Sequence, residues 1–158
     1  MSDQMDLRNI LTSTKVGEVA ITARPKLKPT DTAADAAAEM REQSHGSATI
    51  CDGGKLVGII TERDLLKVIE ANGSLESPLS EVMTADPQTV SVEDSLFDAI
   101  RSMDEGGYRR LPVVDASGVP MGIFDVKMVV HFLVGHFPAA VYNQASHAQL
   151  LAKHREGA

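Results

Sequence analysis

The chain is written twice. A shift of 63 residues carries Glu18-Val19 onto Glu81-Val82, Asp31 onto Asp94, Ala36 onto Ala99, Met40 onto Met103 and Asp52 onto Asp115. A shift of 64 carries Gly58-Ile59 onto Gly122-Ile123. The one-residue gap falls between Asp52-Gly53-Gly54-Lys55 and Asp115-Ala116-Ser117-Gly118-Val119, turn sequences in both copies. A turn is where a structural repeat accepts an insertion. A unit of about 60 residues is marginal alone, so the copies are expected to fold together. Two like units face to face enclose clefts, and clefts bind ligands.

Each copy reads β-α-β-β-α. In the first, Val19 and Ile21 suggest a short extended segment, and Leu27 another between Pro25 and Pro29. Ala33, Ala36, Ala37 and Met40 fall on one helical face, with Asp31 or Thr32 to cap it. Ser47–Asp52 and Leu56–Ile60 form a hairpin around Asp-Gly-Gly, and a helix runs from Glu62 to about Ala71. In the second, Thr89–Val92 is extended and Leu96, Ala99, Ile100 and Met103 share a helical face. Leu111–Asp115 and Met121–Phe124 are the hairpin strands, and a last helix covers about Val126 to His136. The divisions are a lead-in over 1–15 with one helical turn, a first repeat over 16–71, a linker over 72–80, a second repeat over 81–137 and a polar tail over 138–158.

Composition removes several classes. The net charge of −7 argues against general nucleic-acid binding, which rests on neutralising phosphates with Lys and Arg. One cysteine rules out an internal disulfide and fits a reducing cytoplasm, the expected location. No apolar run approaches the ~20 residues of a membrane helix. The first residues lack the basic-then-apolar layout of a signal peptide. With no Trp and few aromatics, the core must be aliphatic.

The junction Gly58-Ile59-Ile60-Thr61-Glu62-Arg63-Asp64 is the sharpest site. A strand ends and a helix begins there, so backbone N–H groups and the positive dipole end point outward. Asp64 can accept two hydrogen bonds from a vicinal diol such as ribose. Thr61-x-x-Asp64 also approximates a capping box, which needs no ligand. From these residues alone the capping box is the simpler reading, and the two are compatible.

The doubled β-α-β-β-α pattern, with Gly58–Leu65, Ser95-Leu96-Phe97-Asp98-Ala99 and Tyr108–Asp115, resembles a pair of cystathionine-β-synthase (CBS) domains over about 16–134. The resemblance implies an α/β fold, two CBS repeats packed as one module with pseudo-two-fold symmetry. It implies a regulatory, energy-sensing module that binds AMP, ADP, ATP or a related adenosyl ligand between the repeats and often dimerises. Position by position, it implies ribose and phosphate contacts from Thr61 and Asp64. It puts Ile59 and Ile60 beside the adenine, with Pro87 and Gln88 meeting it from the opposite copy. Arg109 and Arg110 would face the phosphates, a role that adjacent guanidinium groups suit. A solvated basic pair remains the other reading of Arg109-Arg110.

The second cleft departs from the pattern. Asp125 stands at the Thr position and Met128 at the Asp position. Met cannot accept a ribose hydroxyl as a carboxylate does. His45-Gly46-Ser47 replaces Tyr108-Arg109-Arg110, leaving Arg24, Lys26 and His45 as sources of positive charge. One competent and one degenerate cleft are therefore expected per chain. Cys51 reads as a core thiol. His131 and His136 are poorly spaced for a shared metal, and His147 and His154 lie in the tail without a partner. No phosphate-binding loop, dinucleotide fingerprint or nucleophile elbow occurs. The expectation is a non-enzymatic module without a metal or required cofactor, forming a homodimer or acting on a separate regulated protein. A ligand-free dimerisation or interaction scaffold is the alternative.

Overall fold

The computed structural model describes residues 2–22 and 26–136. The chain divides into two compact units, Met1–Phe124 and Asp125–Ala158. In chain order the elements are α1 (Ser2–Ser13), α2 (Val16–Val19), β1 (Ile21–Thr22), α3 (Ala33–Gln43), β2 (Ser47–Asp52), β3 (Lys55–Thr61), α4 (Glu62–Glu70), α5 (Leu79–Val82), β4 (Thr84–Ala85), β5 (Val90–Ser91), α6 (Leu96–Gly106), β6 (Arg110–Val114), β7 (Pro120–Asp125) and α7 (Val126–His136). The fold is α/β, with one sheet of order β1-β7-β6-β5 and another of order β2-β3-β4.

Local chemistry sets the helix limits in both copies. Thr32 Oγ1 accepts from Asp35 N–H at 3.2 Å, and Asp35 Oδ2 accepts from Thr32 N–H at 2.9 Å, a capping box that starts α3. The Thr32 donors favour the charged carboxylate and hold Asp35 below its usual range. Ser95 starts α6 by accepting from Asp98 N–H at 3.1 Å. The inner faces are Ala33, Ala36 and Met40 in α3, and Leu96, Ala99 and Met103 in α6. Both helices end on a left-handed residue, Ser44 at φ 54° and its counterpart Gly107 at φ 68°. Gly takes that conformation at little cost and Ser does not.

The two copies trade their opening segments. In β1, Ile21 pairs with Ile123 and Thr22 with Gly122; in β4, Thr84 pairs with Ile59 and Ala85 with Gly58. These registers are one pairing seen twice, offset by 63 residues on one strand and 64 on the other. Val16 N–H donates to Asp94 O at 2.8 Å and Leu79 N–H to Asp31 O at 2.7 Å. The bridges Lys15↔Ser95 and Thr32↔Pro78 repeat the exchange. Each copy therefore completes the sheet of the other.

The core follows the same symmetry. Leu27, Ala36, Met40, Ala48, Ile50, Ile60 and Leu79 form one buried cluster. Their counterparts Val90, Ala99, Met103, Leu111, Val113, Phe124 and Val16 are buried as well. Leu79, from the opening of the second copy, fills the core of the first.

The structure corrects three readings of the sequence. The lead-in is a helix of 12 residues rather than one turn, and its Arg8 guanidinium lies 5.3 Å from the Phe97 ring centroid. Val19 closes a short helix instead of opening a strand. The stretch expected as linker already enters α5 at Leu79. The tail lies outside the described residues.

Shared opening segments predict one cooperative unfolding transition. Ile60→Ala should cost about 2–5 kcal/mol and Phe124→Ala about 3–5 kcal/mol. In chemical denaturation each should move the same single midpoint. Two separable transitions would contradict the exchange.

Candidate functional site

The β3–α4 junction is built by a complete capping box. Thr61 Oγ1 accepts from Asp64 N–H at 3.3 Å and donates to Asp64 Oδ2 at 3.1 Å. Thr61 N–H donates to the same Oδ2 at 2.9 Å. Asp64 is half-buried and fixed through one oxygen, while Oδ1 takes no hydrogen bond among the described residues. The capping reading therefore holds, and it leaves one carboxylate oxygen for another partner.

This junction opens onto a cleft of about 630 Å³. Ile59, Thr61 and Asp64 line it from the first copy; Pro87, Gln88, Arg109 and Arg110 line it from the second. Seven of the eight residues named from the sequence thus meet in one cavity. Ile60 does not reach it. Successive residues of a strand face opposite ways, so Ile60 points into the core and is fully buried.

Four further features were missed. Arg63 and Lys67 line the cleft from α4, one helical turn apart; their spacing was a usable signal. Asp86 lines it in a left-handed conformation, φ 46°, and its N–H donates to Val57 O at 3.2 Å. Asp tolerates that region better than most residues. The Tyr108 ring lies close over Gly106, and a Cβ at Gly106 would also stand 3.3 Å from Gln88 Oε1. Tyr108 is 47% exposed, so one of the chain's few aromatic rings forms part of the wall. Finally, the bare backbone of Gly46 makes room for Arg110. A Cβ there would stand 2.7 Å from Arg110 Nη2 and 3.0 Å from Glu62 Oε1, which sets this guanidinium beside a carboxylate at the start of α4.

The lining side chains carry four cations, Arg63, Lys67, Arg109 and Arg110, against two carboxylates, Asp64 and Asp86. The sign is opposite to that of the whole chain, at −7.

Among the described residues, none of those assigned to a degenerate cleft lines this cavity. His45 is half-buried in the first unit. Asp125 and Met128 open the second, where Asp125 Oδ1 accepts from Lys127 N–H at 2.8 Å, a contact that steadies the start of α7. Arg24 lies outside the described residues, as do His147 and His154. His136 Nδ1 is 3.1 Å from Phe132 O, its ring against Phe132. Among the described residues no three His, Cys, Asp or Glu side chains come together as a metal site. Burial pushes the Cys51 thiol up, away from the reactive thiolate. No described helix is long and apolar enough to cross a membrane.

A family model for the CBS domain matches residues 16–71 and 79–135. The chain belongs to the CBS domain family. It is 36% identical over 123 residues to an uncharacterised 17.7 kDa protein of Acidianus ambivalens, covering 77% of this chain and 74% of that one. It is 36% identical over 105 residues to the Arabidopsis thaliana CBS domain-containing protein CBSCBSPB3, covering 65% of this chain but only 19% of that one. Among solved structures, CBSX2 in complex with AMP superposes with a TM-score of 0.65 at 28% identity, over 78% of this chain and 98% of that one. A CBS domain pair in complex with 5′-methylthioadenosine and S-adenosyl-L-methionine superposes with a TM-score of 0.71 at 23% identity, over 78% and 98%.

Thr61→Ala should lower stability by about 0.5–2 kcal/mol through loss of the cap, measurable by thermal denaturation. An unchanged melting temperature would show that the box does not hold the junction.

Proposed function

We propose that this cleft binds an adenine nucleotide or a related adenosyl ligand and that its occupancy shifts conformation or assembly. The observation that carries the reading is the convergence of Thr61 and Asp64 with Pro87, Gln88, Arg109 and Arg110 on one cavity. Its volume falls within the roughly 300–1,000 Å³ of small-molecule sites. In this reading Asp64 Oδ1 takes a ribose hydroxyl, and Thr61 holds its partner and the nearby phosphate. Ile59, Pro87 and Gln88 flank the adenine, while Arg109 and Arg110 face the phosphates. The AMP bound to CBSX2 supports a ligand of this class.

The role is regulatory rather than catalytic, and the nucleotide is a signal rather than a cofactor. A ligand that bridges two copies favours the arrangement in which both reach it, and that differential affinity is the whole signal. Met128 stands where Asp64 does in the repeat and lacks a carboxylate, so one nucleotide per chain is expected. A homodimer fits the exposed apolar side chains. Leu66 and Ile69 of α4 are 65% and 60% exposed, and α7 exposes Val126, Val130 and Val134 at four-residue spacing. Isolated large apolar residues are ordinary, but a helical stripe of them marks an interface. A clean monomer at micromolar concentration in light scattering would remove the dimer.

A ligand-free scaffold is the second reading. Thr32 and Asp35 form the same box as Thr61 and Asp64, so the motif alone needs no ligand. Calorimetry with AMP, ADP and ATP on the wild type and Asp64→Ala separates the two. Binding that is lost in Asp64→Ala supports the sensor; no heat with any nucleotide supports the scaffold. At a hundredfold excess over Kd, binding should add about 2.7 kcal/mol to stability, visible as a raised melting temperature.

A further inference from the structure

Arg110 lines the cleft, but the carboxylate beside its guanidinium belongs to Glu62, which does not. A Cβ at Gly46 would stand 2.7 Å from Arg110 Nη2, 3.0 Å from Arg110 Cζ and 3.0 Å from Glu62 Oε1. The two charged groups therefore meet over one bare stretch of backbone. They come from different copies, Arg110 from the start of β6 and Glu62 from the first turn of α4. Glu62 N–H donates to Gly46 O at 3.1 Å, and the adjoining residues Ser47 and Thr61 pair between β2 and β3. The backbone that carries Glu62 is thus fixed to the gap that admits Arg110. Arg109 is exposed and Arg110 half-buried, so the adjacent arginines sit in different surroundings.

We propose that Glu62 is a built-in competitor for Arg110. In the unliganded protein it holds the guanidinium over Gly46, and an anionic ligand must draw Arg110 away from it. Glu62 touches no ligand and is a positioning residue that acts through Arg110. The inference rests on the nucleotide reading and adds to it a residue that lowers affinity. A guanidinium has five N–H donors and a carboxylate beside it occupies some of them. Glu62 is exposed, so the competition is modest and screened by salt. Adenosine carries no anion and does not meet it. The ordinary role of an acid in a first helical turn is to favour the helix dipole, and on that role alone its removal lowers stability without tightening any ligand.

The test is calorimetry with adenosine, AMP and ADP on the wild type, Glu62→Gln and Gly46→Ala. Glu62→Gln removes the competitor. Gly46→Ala keeps every charge and fills the gap; Gly46 lies outside the left-handed region, so Ala strains no backbone there. Both variants should bind AMP and ADP about threefold to fivefold more tightly, the size of an exposed ion pair, and adenosine as before. In the Arg110→Gln background, Glu62→Gln should change neither nucleotide affinity, because the two residues act as a pair. Unchanged or weaker nucleotide binding in Glu62→Gln overturns the competition, and so does a gain that persists in the Arg110→Gln background, which marks the loss of a nearby charge and nothing more. Where Arg110→Gln binds too weakly to read, Gly46→Ala decides, and no gain there overturns the competition. In each of these cases the wild type still binds and the nucleotide reading stands. No heat from the wild type with any of the three ligands overturns that reading, and the competition with it.

Discussion

The exchange of opening segments is the constraint on which the rest of the first unit depends. A repeat of this length cannot close a core alone, and here neither copy tries. Leu79 fills the first core from the second copy, and Val16 is buried at the matching place. β4 lies against β3 because the second copy must pass there to reach its own sheet. That passage carries Asp86, Pro87 and Gln88 to the end of β3, where α4 begins. The cleft is thus a by-product of how the two copies interlock, and its walls come from both copies by necessity.

A symmetric backbone carries asymmetric chemistry. The pairings, bridges and caps recur at 63 or 64 residues, yet the side chains at equivalent positions differ. Thr61 and Asp64 correspond to Asp125 and Met128, and Arg109-Arg110 to Gly46-Ser47. Gly46 has a use of its own: its missing side chain admits the Arg110 guanidinium beside Glu62. The room for Arg110 thus comes from Gly46, the counterpart of its neighbour Arg109. Divergence after duplication needs only such side-chain changes, because the backbone hydrogen bonds that hold the fold do not depend on them.

What could be read from the sequence was what leaves a period or a spacing. The hairpins and α3, α4, α6 and α7 show apolar periodicity, and duplication doubles that signal. The exchanged strands are two residues long and leave no period, so β1 was legible only as extended backbone at Ile21, β4 not at all, and the partners of both emerge from tertiary pairing. The same limit explains Ile59 and Ile60. Both are apolar at a strand end, and only the direction of the pleat sends one to the cavity and the other to the core. Pro87, Gln88 and the arginine pair came from family resemblance; composition would not have found them. Arg63 and Lys67 were legible in principle as an i, i+4 pair beside Asp64, but a helix surface in water gives the same pattern.

The Thr-x-x-Asp junction shows why a cap and a binding group need not compete. A carboxylate has two oxygens, and the box occupies one. At Asp64 the helix N-terminus holds Oδ2 through two donors from Thr61, which fixes the side chain before any ligand arrives. A group already immobilised loses little conformational freedom on binding, so more of each new hydrogen bond appears as affinity. Thr32 and Asp35 make the same box without lining the cleft. What distinguishes the two is therefore the wall opposite. Thr32 is bridged directly to Pro78, whereas Thr61 opens onto a cavity walled from the other copy, and a preorganised oxygen can serve a ligand only where a gap remains for the rest of the molecule.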